Sequence, residues 1–227
     1  MIISKLDWDS KFFRLNIGEI DCRNQMSIEI SSADNEHYDL IYVFAQHGQP
    51  IPMEDVQLVD SKVIYRKNVT SKSIMPSNII EYSNDTPNDE LYRLALQSGK
   101  YSRFKLDEKF PIGSYERLYR EWIEKSVSRV IADDVLCYHY DGKIVGMVTL
   151  SSKNGIGNIG LVAVDILNRK KGIGSILLKA VDSYFSDRGI TSIEVATQQN
   201  NLKACSWYEK NGFEVKSITD VYHWWIH

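Results

Sequence analysis

The run Val162–Leu178, VAVDILNRKKGIGSILL, constrains this chain more than any other. An apolar, strand-like segment passes through a basic loop with two glycines into a segment of helical periodicity. A helix start leaves its first backbone N–H groups unpaired and carries partial positive charge. Gly172 and Gly174 remove the Cβ atoms that would hold an anion away, and Arg169, Lys170 and Lys171 add full positive charge beside them. The stretch therefore reads as an anion cradle at a strand–helix junction, which commits the chain to an α/β fold. Spacing excludes two common phosphate loops. A dinucleotide fingerprint needs a third glycine where Leu177 stands, and a P-loop needs Gly-Lys-Ser/Thr where the order is Lys171-Gly172-Ile173.

Periodicity around this centre predicts a helix over 7–13 and strands over 17–20, 40–45 and 56–66, a small α/β unit. The polar, proline-bearing stretch 70–77 reads as a linker, placing a small N-terminal domain over 1–72 and a larger one over 73–227. In the larger part, an acidic first turn after Pro87 opens a helix that Gly99 ends, and a second helix starts near Ser114. Between them, residues 101–110 alternate basic and aromatic side chains and read as a loop walling a substrate. Asp141-Gly142 and Asn154-Gly155 predict hairpin turns between strands over 135–140, 143–150 and 159–164. After the glycine loop come a helix to about 186, a strand over 192–196, a helix from Asn201 to Lys210, and a strand over 213–225.

A net charge of −3 gives no overall basic footprint for nucleic acid. Cys22, Cys137 and Cys205 are scattered, odd in number and without metal-ligand spacing, so neither a disulfide framework nor a metal site is expected, and the cytosol is the expected compartment. No apolar run approaches the ~18 residues of a membrane span.

Two motifs resemble the GNAT superfamily of N-acetyltransferases. Arg169-Lys170-Lys171-Gly172-Ile173-Gly174 is similar to its Arg/Gln-x-x-Gly-x-Gly/Ala loop. The stretch Asn201 to Phe213, NLKACSWYEKNGF, is similar to its Asn-x-x-Ala-x-x-x-Tyr-x-x-x-Gly-Phe pattern at every named position. Ile166 departs from a proline common in the family after the strand. The resemblance implies a central mixed, twisted sheet flanked by helices, and acetyl-coenzyme A as co-substrate. Its implied coenzyme residues are Val162, Ala163, Val164, Arg169, Lys170, Lys171, Gly172, Ile173, Gly174, Ser175, Asn201 and Trp207. A backbone N–H within Val162–Val164 would hold the acetyl oxygen, and Tyr208 would protonate the departing thiolate as a neutral amine attacks. Asn201 is a natural N-cap, and Tyr208 follows two turns later on the same helix face. No general base is assigned: Glu194, Asp165 and His139 stand near the expected cleft without distinguishing features.

Leu6-Asp7-Trp8-Asp9-Ser10-Lys11-Phe12-Phe13 and Ser102-Arg103-Phe104-x-x-Asp107-x-x-Phe110 resemble the dTDP-fucosamine acetyltransferase branch. This implies an acceptor that is a nucleotide-linked amino-deoxy sugar, touched by Phe12, Arg103, Phe104 and Asp107, with the N-terminal unit contributing to its site. Two alternatives stay open: acetylation of another amine (a peptide N-terminus, a polyamine or an aminoglycoside), and a non-catalytic acetyl-coenzyme A binding module. An exposed strand at the C-terminal edge would offer a homodimer contact.

Overall fold

A computed structural model describes residues 2–24, 35–69 and 74–226. The elements, in order, are β1 (Ser4–Lys5), α1 (Asp7–Phe13), β2 (Ile17–Asp21), β3 (Leu40–Gln46), β4 (Val56–Asn68), β5 (Ile79–Glu81), α2 (Asp89–Ser98), α3 (Arg103–Leu106), α4 (Ser114–Val127), β6 (Asp134–Tyr140), β7 (Lys143–Lys153), β8 (Ile156–Val164), α5 (Ile173–Ser186), β9 (Ser192–Gln198), α6 (Leu202–Lys210) and β10 (Glu214–Trp225). The strands form one mixed sheet in the order β1-β2-β3-β10-β4-β9-β8-β7-β6-β5. The expected fold class, a mixed sheet flanked by helices, is the one observed.

Alternation along the strands sends side chains to two apolar layers. On one face, Val63, Tyr65, Val195 and Val148 pack with Leu177, Val181 and Phe185 of α5 and Tyr208 of α6. On the other, α2 and α4 cover β6–β8 through Leu91, Leu94, Ile123 and Met147. Beside that layer, Phe13, Tyr42, Phe110, Leu118 and Tyr119 join α1, α3 and α4 to β2 and β3.

Two expectations are corrected. Residues 101–110 are not all loop: Ser102 caps α3, its side chain accepting the Phe104 N–H at 3.3 Å. The C-terminal strand is no edge. β10 pairs antiparallel with β3 on one side and β4 on the other, and Val221 and His223 on it are fully buried. Both its ladders are filled, so it offers no strand to a second chain; the sheet's edges are β1 and β5. Strands of both expected units thus share one sheet, with β4 inserted between β10 and β9, while the 72/73 boundary lies outside the described residues. No helix among the described residues is long and apolar enough to cross a membrane.

Candidate active site

The site begins where two parallel neighbours part. β8 and β9 are paired from Ile156↔Ser192 to Ile159↔Val195 and no further, although β8 runs on to Val164 and β9 to Gln198. A bulge in β8 marks the divergence, where the Leu161 N–H turns to the Thr149 Oγ1 at 2.8 Å. Beyond it β8 is held by β7 alone, through Val148↔Val162, Met147↔Ala163 and Gly146↔Val164. Backbone groups of Val162–Val164 are therefore turned toward the gap between the two strands.

The glycine loop leads from that gap into α5. Lys170 and Gly172 both adopt positive φ, 63° and 79°, and Gly172 is the N-cap. No side chain caps α5, so the N–H groups of its first turn point outward at the positive end of the helix dipole. Gly174 acts through packing instead. A Cβ there would stand 3.1 Å from the Trp207 indole, so its absence lets α6 close against the start of α5. Asn201 caps α6 by accepting the Ala204 N–H at 3.3 Å. Loop, gap and α6 thus meet around a bare helix start, whose free N–H groups suit an anionic ligand such as a phosphate.

The loop's basic residues do not act alike. Arg169 turns back, its Nε donating to the Val164 carbonyl at 2.9 Å. Lys171 Nζ donates to Asn168 Oδ1 at 3.0 Å. Asp165 Oδ2 accepts from Arg93 Nε at 3.0 Å, and Gln97 Oε1 accepts the Ile166 N–H at 3.1 Å, so α2 braces the strand exit. Gly172→Ala places a side chain at φ 79°, which costs about 1–2 kcal/mol. Coenzyme A binding, read by calorimetry, is expected to weaken about tenfold.

Tyr208 is 2% exposed, its ring fixed between Tyr65, Trp207 and Phe213 at centroid distances of 5.7, 4.8 and 5.4 Å. Burial pushes its phenol well above the usual range, so it stays protonated.

Beyond β9, on the face that carries α3, lies a group of charged residues that sequence reading missed in part. Val63 and Tyr65 point to the α5 face, so Asp60 and Lys62 on β4 point to the other. Lys62 is paired with Gln198, which puts both one strand from the gap. Burial pushes the Asp60 carboxyl up to about 6, against the pull of Arg103 and Lys62. Lys62 reaches solvent, and partial burial together with the Arg103 charge pulls its pKa down. Arg103 stacks over Tyr42 at 4.7 Å and Phe104 at 4.5 Å. Nothing in a local motif singles out Asp60; its isolation emerges only when β4 enters the sheet beside β9. The acids near the cleft that sequence reading weighed are engaged elsewhere. Glu194 is held by Arg66 and Lys216, and Asp165 by Arg93.

Two residues expected at the acceptor face are engaged by protein. Asp107 Oδ2 faces His223 Nδ1 at 2.5 Å and accepts from Trp225 Nε1 at 2.9 Å, latching the segment after α3 to β10. Phe12 is stacked on Trp8 at 5.1 Å with Arg117 over its ring at 4.9 Å, toward α4. Among the described residues, no group of three or more His, Cys, Asp or Glu side chains is placed to hold a metal.

A sequence model of the acetyltransferase (GNAT) family matches residues 90–213. A putative GNAT acetyltransferase from Novosphingobium aromaticivorans has a similar structure, with a TM-score of 0.56 at 15% identity over 83% of this chain and 75% of that one. A GCN5-related N-acetyltransferase from Sphaerobacter thermophilus gives 0.55 at 18% identity over 81% of this chain and 59% of that one. A functionally unknown protein from Staphylococcus epidermidis gives 0.54 at 14% identity, over 83% and 74%. No curated protein sequence matches the chain.

Proposed function

This chain belongs to the acetyltransferase (GNAT) family, and we propose that the amine it acetylates is that of a nucleotide-linked amino-deoxy sugar, of the dTDP-4-amino-4,6-dideoxygalactose type. The enzyme is an N-acetyltransferase that uses acetyl-coenzyme A and acts on a small-molecule amine. When bound, the coenzyme supplies the acetyl thioester.

The observation that carries the sugar-nucleotide reading is the group of charged residues one strand from the gap. Arg103 and Lys62 offer positive charge to a diphosphate, Phe104 offers an aromatic wall, and Asp60 lies on the same strand two residues from Lys62. The N-terminal residues 1–72 contribute to this acceptor site through Tyr42, Asp60 and Lys62.

In the reading we propose, each residue handles one atom. Asp60, ionised above about pH 6, removes the proton that keeps the incoming amine unreactive. A backbone N–H among Val162, Ala163 and Val164 donates to the acetyl oxygen where negative charge develops. Arg169 keeps the Val164 end of the strand in place, and the first turn of α5, from Gly172 through Ile173 and Gly174 to Ser175, binds the pyrophosphate with Lys170 and Lys171 beside it. Tyr208 gives its proton to the leaving sulfur. Its pKa is raised by burial, but the same burial raises that of a thiol beside it, so the transfer stays matched.

Thiol release from acetyl-coenzyme A tests the acceptor class. Release is expected with dTDP-4-amino-4,6-dideoxygalactose, more slowly with its UDP analogue, and at background with spermidine or a peptide amine. Faster release with spermidine or the peptide would overturn the nucleotide-sugar reading and leave the family membership standing.

A further inference from the structure

Thr149, on β7, stands at the point where β8 leaves β9. It is 2% exposed, and its Oγ1 accepts the Leu161 N–H at 2.8 Å. In the β7–β8 ladder Val148 faces Val162 and Leu150 faces Ile159, so Thr149 opposes two residues, Gly160 and Leu161. The extra residue puts one N–H out of register with the carbonyls of β7, and a part-buried N–H needs a partner. The Thr149 hydroxyl supplies it. Gly160 makes room for the bond: a Cβ there would stand 2.7 Å from Thr149 Oγ1.

The extra residue also decides which backbone groups face the gap. Along an antiparallel ladder, residues alternate between turning their N–H and C=O to the partner strand and turning them away. Beyond the bulge the Asp165 N–H bonds the Val145 carbonyl at 2.8 Å, and Met147↔Ala163 lies two residues back in the same ladder. Leu161, Ala163 and Asp165 thus turn their N–H groups to β7. Val162 and Val164 turn theirs away, into the space that β9 has left. The Val164 carbonyl agrees, since it accepts from Arg169 of the glycine loop and not from β7. Side chains record the same one-residue shift. Gly157 and Ile159 face the α5 layer before the bulge, and Val162 and Val164 face it afterwards. Gly160 itself is exposed, so the gap opens at the bulge.

We propose that Thr149 is a positioning residue for acetyl transfer, whose hydroxyl locks the β8 bulge and so points the Val162 and Val164 N–H groups at the acetyl oxygen. The inference rests on the reading that β8 donates to that oxygen, and it narrows the donors to these two. Thr149 acts through the backbone and not on the reacting atoms. Its branched Cβ suits the task, because it leaves χ1 few choices and holds the hydroxyl in one direction.

The test compares Thr149→Val, which keeps the shape and removes the acceptor, with Thr149→Ser, which keeps the acceptor. The readout is isotope-edited infrared spectroscopy of the acetyl carbonyl in bound acetyl-coenzyme A, which needs no amine. A donor on the oxygen lowers the carbonyl stretch below that of the free thioester. That lowering is expected in wild type and in Thr149→Ser and is expected to be lost in Thr149→Val, with acetyl-coenzyme A affinity within about twofold throughout. With dTDP-4-amino-4,6-dideoxygalactose as acceptor, kcat of Thr149→Val is expected to fall about a hundredfold at unchanged KM, and Thr149→Ser to restore it. The inference is overturned if Thr149→Val keeps the lowered stretch, if it loses coenzyme affinity together with it, or if Thr149→Ser loses it too. A wild-type carbonyl that binds unshifted overturns both the strand-donor reading and this one. The expected infrared pattern without transfer to the nucleotide sugar sinks that acceptor and leaves Thr149 in its role.

Discussion

Tyr208→Phe is expected to lower kcat about a hundredfold while leaving coenzyme A affinity within twofold of wild type, because removing a positioned acid costs about 10²–10⁴ in rate. The ring of the variant still fills the space between Tyr65, Trp207 and Phe213, so packing is preserved and only the proton is lost. An acetyl donor whose leaving thiol is more acidic needs less protonation and should recover part of the loss. Rapid-quench measurement of one turnover separates this from slow product release. An unchanged single-turnover rate would remove Tyr208 from the chemistry and leave it as a core aromatic.

The second large effect is expected at Asp60. Its carboxyl, pushed by burial up to about 6, must be ionised to accept a proton, so kcat/KM should rise with pH through that value and then level. Asp60→Asn should lower kcat/KM about a hundredfold and abolish that acidic limb. The stability effect runs the other way. The folded-state pKa lies above the reference 3.8, so the contribution of this group is fully present below the reference value and is lost as pH rises through about 6. Asp60→Asn should therefore be at least as stable as wild type at pH 7, read as the midpoint of thermal unfolding. A limb that survives in the variant would assign it to another group.

Much of this architecture is legible in the sequence. The glycine loop, the caps at Asn88 and Asn201 and the turns at Asp141-Gly142 and Asn154-Gly155 are local devices, fixed by backbone φ or by one side chain. Residues within a few positions decide them, so a linear reading reaches them. The charged group proposed to meet the acceptor is different in kind. Asp60, Lys62, Tyr42 and Arg103 come from β4, β3 and α3, and no motif links them. Asp107 is implied as an acceptor contact by the resemblance of Ser102-Arg103-Phe104-x-x-Asp107-x-x-Phe110; only the arrival of β10 shows it turned inward to His223 and Trp225. The central place of β10 is likewise hidden, since an amphipathic strand reads the same at an edge or in the middle.

The insertion of β4 between β9 and β10 bears on how the molecule is made. Strands built early in the chain must wait for partners built late: Val63 for Thr197 and Ile218, Tyr42 for His223. Such long-range pairing raises contact order and slows folding. Tyr42 and Lys62 meet their partners on β10 and β9 only after most of the polypeptide has been made, so this part of the sheet closes late. During synthesis, β3 and β4 carry open ladder positions until β9 and β10 have emerged, which makes the nascent N-terminal segment a client for protection against strand-to-strand aggregation.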